Sequence, residues 1–319
     1  MASIYQPPQP PQMPPPPPPK RKSRLWLWLL LGGGALFLFV VGVFTLLVIA
    51  SHGKSESSEF AFGDKIGVID LEGVIIEPQT IAKELKKFGE DDSIKAIVIH
   101  VNTPGGGVAA SEEIYEAVKR VREKNKKRIV ASVETVGASG GYYVACATDK
   151  IYADRGSIVG SIGVISQWVN YGDFLKWAKL KDVTFKAGAL KDTGNPAREM
   201  TDEEKKYFQS LLDDMHGQFI SAVANGRKMK VEDVKAIADG RVWTGEEAKQ
   251  LKMIDEIGDF DKAIHDTAKA VGIDGEPTIV RPERQRRTFF DLLFGDVSDY
   301  IPSSTKLMEN HPGFYFLWK

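Results

Sequence analysis

Two short segments carry residue types that could do covalent chemistry together. The first, Val136-Gly137-Ala138-Ser139-Gly140-Gly141-Tyr142-Tyr143, is a small-residue turn that ends in a serine and enters an apolar run. The second, Ala187-Gly188-Ala189-Leu190-Lys191-Asp192, comes about fifty residues later and sets a lysine among small neighbours. A serine hydroxyl is a weak nucleophile until a base takes its proton. A neutral lysine can be that base. Together the two segments suggest a Ser-Lys hydrolase.

Other groups compete for these roles. Five histidines are present, His52, His100, His216, His265 and His311. His216 and His265 fall within helical patterns and read as surface or packing residues. His100 ends an apolar strand beside a glycine run, so it is the rival base. The single cysteine, Cys146, excludes an intrachain disulfide and sits close enough to Ser139 to be a rival nucleophile. Its apolar helical setting also suits a buried core residue. Asp192 adjoins Lys191 and would hold the amine charged if it faced it; the sequence leaves its direction open. No His/Cys/Asp cluster has the spacing of metal ligands, so no metal or cofactor is expected. The third element is Val101-Asn102-Thr103-Pro104-Gly105-Gly106-Gly107-Val108. Its glycines let backbone N–H groups turn toward a ligand oxygen. It lacks the Gly-Lys-Ser/Thr ending of a phosphate loop.

The elements that must position these residues alternate. Residues 66–71 and 94–101 read as strands, the second nearly continuous in its apolar character, as in a sheet covered on both faces. Residues 80–89 and 111–126 read as helices. Strands are expected at 128–133, 150–153, 164–169 and 183–186. Helices are expected at 139–148, 172–179, 202–225, 231–238 and 245–251. This alternation predicts a layered α/β domain over residues 63–274. Beyond it, residues 275–319 read as a tail, with a solvated basic stretch and then apolar runs at 289–294 and 314–318.

Ahead of the domain come a Pro-rich arm at residues 1–24, an uncharged apolar stretch at 25–50 and a linker at 51–62. The apolar stretch exceeds the ~20 residues needed to cross a bilayer. Lys20, Arg21, Lys22 and Arg24 precede it. The positive-inside rule therefore puts the N-terminus in the cytoplasm and the domain outside. A cleaved signal peptide is the rival reading, but its apolar region should span only ~7–15 residues. The formal net charge of −1 gives no ground for nucleic-acid binding.

Taken together, the motifs resemble signal peptide peptidase A. The likeness runs through Asn102 to Gly107, Ala138 to Tyr143, Gly156-Ser157-Ile158-Val159-Gly160-Ser161-Ile162-Gly163-Val164, Lys191, Arg198-Glu199-Met200-Thr201 and Asp239-Gly240-Arg241-Val242-Trp243-Thr244-Gly245. The resemblance covers about residues 63–274 and is to the single-domain form. It implies a fold related to Clp protease and crotonase, and peptide hydrolysis by a Ser-Lys dyad. Ser139 maps to the nucleophile and Lys191 to the general base. The N–H groups of Gly106 and Gly140 map to the oxyanion hole, and Ser161 to a serine that orients the lysine. The implied substrates are signal-peptide remnants and other unfolded apolar peptides at the outer face of the membrane. The resemblance also implies a homo-oligomeric ring, with an octamer as its expected size and with dyads shared between subunits. Two other classes stand beside this reading. One is a membrane scaffold with an inactive protease fold, and the other is a crotonase-type acyl-CoA enzyme, whose cytoplasmic substrate would clash with the expected topology.

Overall fold

The computed structural model describes residues 64–282 and 315–318, together with five positions near the N-terminus, 33, 34, 38, 39 and 42. Those five are helical. The rest of the expected anchor at 25–50, and the Pro-rich arm, lie outside the described residues. Among the described residues, no helix is long and apolar enough to cross a membrane. The chain divides into two compact units, Met1–Ala61 and Phe62–Lys319, and the second contains the sheet and the candidate site.

Among the described residues, nine strands form one mixed sheet. They are β1 (Lys65–Ile75), β2 (Ile94–Gly107), β3 (Arg128–Ala138), β4 (Lys150–Ala153), β5 (Ile158–Gly160), β6 (Val242–Thr244), β7 (Glu256–Ile257), β8 (Thr278–Val280) and β9 (Tyr315–Leu317). The main path runs β6-β5-β3-β2-β1-β8, with β4 on β3 and β7 on β4. All of these pairs are parallel except β5 with β6. β9 adds antiparallel to the end of β2. Among the described residues of this second unit, the helices are α1 (Gln79–Glu90), α2 (Val108–Asn125), α3 (Gly140–Ala145), α4 (Gly172–Trp177), α5 (Asp202–Arg227), α6 (Val231–Lys235), α7 (Gly245–Gln250) and α8 (Phe260–Ala270).

The strand periodicity of two assigns the two faces. Ile97, Ile99 and Val101 of β2, with Ile129, Ala131 and Val133 of β3, join the large core that takes in α2, α3 and α5. Ala96, Val98 and Val130 point the other way and pack with Ala263, Ile264 and Ala268 of α8. Both faces are thus covered, which is why β2 reads as an unbroken apolar run. The buried Ile and Val side chains contribute roughly 1.5–3 kcal/mol each.

β2 and β3 outrun their expected ends. β2 continues through the glycine segment to Gly107, and β3 continues to Ala138. Both extensions exist because new partners take up the backbone. β3 pairs with β4 over Val130–Val133 and then with β5 over Val136–Ala138. The strand expected at 164–169 is absent; the strand that forms is the three-residue β5 just before it. No strand forms at 183–186 either, where the side chains of Val183 and Phe185 are exposed. β8, beyond residue 274, pairs parallel with β1.

Candidate active site

Ser139 stands between the end of β3 and the start of α3, with φ 52° and ψ −115°. A non-glycine residue in this region costs on the order of 1–3 kcal/mol and persists only where its surroundings enforce it. Three contacts do so. The Ser139 N–H donates to the Gly160 carbonyl at 2.7 Å, and its carbonyl accepts from the Tyr143 N–H at 2.8 Å. Gly141 then brings α3 against the glycine segment, since a Cβ there would lie 2.5 Å from Thr103 Cγ2. Behind the turn, the Tyr142 hydroxyl donates to the Met253 carbonyl at 2.9 Å. The Tyr143 ring packs between Tyr115 and Phe219, with centroids 4.9 and 5.0 Å away. Ser139 itself is 1% exposed. Its Oγ is buried with no hydrogen-bond partner among the described residues.

The two residues expected to hold an oxyanion flank this turn. Gly140 opens α3 directly after Ser139. Gly106 lies in the last residues of β2, where a Cβ would meet the Ile75 carbonyl oxygen at 2.0 Å. The close approach of β1 therefore permits only glycine there. Thr103 ties the segment down: it donates to the Gly73 carbonyl and accepts from the Gly105 N–H at 3.0 Å.

Ser161 follows the residue that pairs with Ala138, so the parallel ladder sets it beside Ser139. It too has a positive φ, 52°. Its N–H donates to the Arg241 carbonyl at 2.8 Å. Ser161 lines a cleft of about 440 Å³ together with Ile162, Val164, His216 and Ala238. His216, read from the sequence as a surface or packing residue, approaches the Ile162 carbonyl at 3.2 Å through Nε2. Its place on the mixed surface of α5 gave no signal of this neighbour.

Lys191 lies in a turn, its N–H 3.2 Å from the Gly188 carbonyl, with the side chain exposed. The direction of Asp192, open in the sequence, is resolved: it faces Lys186 and Arg198. Hydrogen bonds from Lys186 first, and from Arg198 next, hold its carboxyl below the usual range. Arg198 also grips the buried Glu204 with both terminal nitrogens, at 2.9 and 2.5 Å. This fork and the Thr201 N–H pull Glu204 down to about 2. Thr201 and Glu204 form a reciprocal cap at the start of α5. A single arginine thus joins the Lys191 turn to the first turn of a long helix. In the sequence Arg198 stands within a matching motif, but its spacing alone assigns it no task.

Within this chain Ser139 Oγ and Lys191 are not hydrogen-bonded. His100, the rival base, points elsewhere. It shares strand parity with Ala96 and Val98 and stacks on Phe260 of α8 at 4.8 Å. Its ring nitrogens lie 3.4 Å from Asp70 and 3.6 Å from Glu134. Burial pushes the Asp70 carboxyl up, but Arg281 and then His100 outweigh it and leave it lowered. Cys146, the rival nucleophile, is 1% exposed, and burial raises its thiol to about 12. It is a neutral core residue.

Comparison with known proteins bears on this geometry. The sequence model of peptidase family S49 matches residues 121–274, and that of Clp protease matches residues 72–160. A protein of Methanocaldococcus jannaschii named as a protease is 31% identical over 80% of this chain and 86% of its own length. The chain belongs to peptidase family S49. A protein of Enterococcus faecium named as a signal peptide peptidase is 36% identical, over 60% of this chain and 55% of that one. The chloroplastic serine protease SPPA of Arabidopsis thaliana is 28% identical, over 74% of this chain and 35% of that one. The chain is thus a serine peptidase with a Clp protease-like α/β domain, and the resemblance to signal peptide peptidase A holds. Peptides are the substrates of this S49 peptidase.

Proposed function

We propose that this S49 peptidase is a membrane-anchored endopeptidase that degrades cleaved signal peptides and other unfolded apolar peptides at the outer face of the membrane. Ser139 is its nucleophile and Lys191 its general base. Lys191, in its neutral form, takes the Ser139 proton as Oγ attacks a peptide carbonyl. The N–H groups of Gly106 and Gly140 stabilise the oxyanion, and the protonated lysine then donates to the leaving amine. Water resolves the acyl-enzyme by the same route. Ser161 orients the lysine. The one observation that carries this reading is the buried, unpartnered hydroxyl of Ser139 on a backbone held at positive φ.

The dyad is shared between subunits of a homo-oligomeric ring, with an octamer as its proposed size. The exposure of Lys191 supports this, because a base that must reach a neighbour's serine has no reason to fold onto its own. The segment before it is apolar and uncovered as well: Val169 is 77% exposed, Trp177 79% and Phe185 95%. An apolar stretch of this extent marks a surface that another molecule covers. The anchor at residues 25–50, with the N-terminus in the cytoplasm, would hold the ring where apolar peptides collect.

Subunit mixing tests the arrangement. Ser139→Ala chains and Lys191→Ala chains, each inactive alone, should recover hydrolysis when dissociated and reassembled together. Failure to recover any activity, with mixed assemblies verified, would contradict a shared dyad.

A further inference from the structure

A strongly basic stretch lies at the end of α2 far from the active site. In Lys119-Arg120-Val121-Arg122-Glu123-Lys124-Asn125-Lys126-Lys127-Arg128, seven of ten residues are cations and one is an acid. The fold closes this stretch into a corner. α2 ends at Asn125, Lys126 turns the chain with φ 55°, and β3 starts at Arg128. The corner holds a cavity of about 440 Å³ lined by Arg122, Glu123, Lys126, Lys127, Arg128 and Asp149. Asp149 is already engaged, accepting from Arg122 Nε at 2.9 Å and from the Ile129 N–H at 2.8 Å. Of the lining acids that leaves Glu123, against Lys126, Lys127 and Arg128. Lys127 donates to the carbonyls of Asp91 and Ile94, which satisfies its protons but not its charge. The Nε of Arg128 is buried with no hydrogen-bond partner among the described residues. A buried donor without an acceptor is costly, and an oxygen of an anion entering the cavity would take it. The negative end of the α2 dipole accounts for the cations of its last turn, Arg122 and Lys124. It does not account for Lys126, Lys127 and Arg128, which follow the helix.

We propose that this corner docks on the phosphate headgroups of anionic lipids and seats the peptidase domain on the membrane. This rests on the anchor proposed at residues 25–50, which decides the choice of anion. Lys65 pairs in register with Ile94, and Ala96 with Arg128, so the starts of β1, β2 and β3 share one end of the parallel sheet. The chain leaves the apolar stretch at residue 50 and enters the sheet at Lys65, at the same end as the basic corner. A tether of that length spans at most ~50 Å, so headgroups are the anion kept at high local concentration. Clusters of Lys and Arg beside a membrane segment are drawn to the negative surface of the leaflet. Arginine gives phosphate a directional donor, and lysine gives it a point charge. Gly106 and Ser139 stand at the opposite ends of β2 and β3. A domain seated on this corner therefore turns its active site away from the lipid and receives peptides after they leave the bilayer.

The test uses the full chain reconstituted into vesicles with one reporter cysteine, Cys146 being buried and left unlabelled. Asn125→Cys places a fluorophore at the corner. Ala109→Cys places one at the other end of α2, roughly 24 Å away. Quenching by a lipid with a nitroxide headgroup is compared in phosphatidylcholine with and without phosphatidylglycerol. At Asn125→Cys, quenching should be at least about fivefold stronger with phosphatidylglycerol, the gain expected from a single cation near an anionic surface. At Ala109→Cys it should stay weak in both. Combining Lys124→Gln, Lys126→Gln and Arg128→Gln should abolish the difference while peptide hydrolysis in detergent stays normal. Lys126→Gln alone, at an exposed position, should reduce it and serves if the triple variant does not fold. Equal quenching in the two lipids, or a difference that survives the substitutions, would overturn the proposal. Inorganic phosphate tests the other source of the same anion. If it raises the Tm of the detergent-solubilised chain while phosphatidylglycerol leaves quenching unchanged, the corner takes free phosphate and lipid docking is overturned. Co-sedimentation with neutral vesicles reads the anchor separately. A chain that sediments only with anionic vesicles, through these cations, would refute the anchor and leave the docking surface standing. Sedimentation with both kinds of vesicle, with quenching at Asn125→Cys indifferent to lipid charge, would do the reverse.

Discussion

The Ser139 N–H reaches the Gly160 carbonyl at 2.7 Å, and this bond sets two serines side by side, Ser139 and the Ser161 that comes after Gly160. Both carry φ 52°. Two adjacent turns are thus held in a conformation that ordinary residues avoid.

The strain at Ser139 predicts a separation of stability from activity. Glycine relieves the positive φ, so Ser139→Gly should stabilise the domain by about 1 kcal/mol while abolishing hydrolysis. Ser139→Ala should abolish hydrolysis without the gain. Thermal unfolding beside a peptidase assay reads both. A destabilised Ser139→Gly would show that the serine side chain supports the fold.

Gly106 makes the opposite prediction. Its missing Cβ is occupied by the Ile75 carbonyl oxygen at 2.0 Å, a backbone atom that cannot swing aside. Gly106→Ala should cost about 2 kcal/mol or more by overpacking. It should also remove activity under conditions where the chain is still folded, since the N–H it presents would move. Denaturant unfolding and kinetics on the folded fraction check this.

Arg198 should prove a positioning residue. Arg198→Lys keeps the charge but loses the fork that holds Asp192 and Glu204 together. We expect kcat/KM to fall roughly 10- to 100-fold, as a displaced catalytic group does. The loss should lie in kcat, with KM little changed, because no peptide contact is removed. An equal fall in global stability and activity would reduce Arg198 to a structural role.

Acid should loosen the same connection. The Glu204 carboxyl is lowered from 4.5 to about 2 by Arg198 and the Thr201 N–H. A depressed carboxyl contributes stability that is fully present above its unfolded value and is lost as pH falls through its folded one. The start of α5 should therefore weaken between about pH 4.5 and pH 2. Hydrogen exchange of the amides at 201–205 across this window measures it. In Glu204→Gln the pH dependence should flatten.

Much of the architecture was legible in the sequence because it obeys local rules. β2 announces itself through Ile97, Val98 and Ile99, buried on both faces, and the helix expected at 202–225 forms as α5. What was not legible depends on distant partners. β5 is three residues long and exists because β3 and β6 flank it. The segment 183–186 has the apolar pattern of a strand, but Val183 and Phe185 are exposed in the single chain. At the site, the small residues around Ser139 signalled a tight turn from sequence alone. The partner of Asp192 did not, because Lys186, Arg198 and Lys191 are all cations within a few residues. His100 was a reasonable rival base until strand parity put it on the α8 face.

The most direct test of Ser139 and Lys191 as the working pair is mass spectrometry of the full chain after incubation with a peptide-like acylating inhibitor. One adduct should form, located on Ser139, and Lys191→Ala should form it at least about a hundredfold more slowly, since serine and base act as a unit. An adduct on any other residue, or undiminished labelling of Ser139 in Lys191→Ala, would contradict the account.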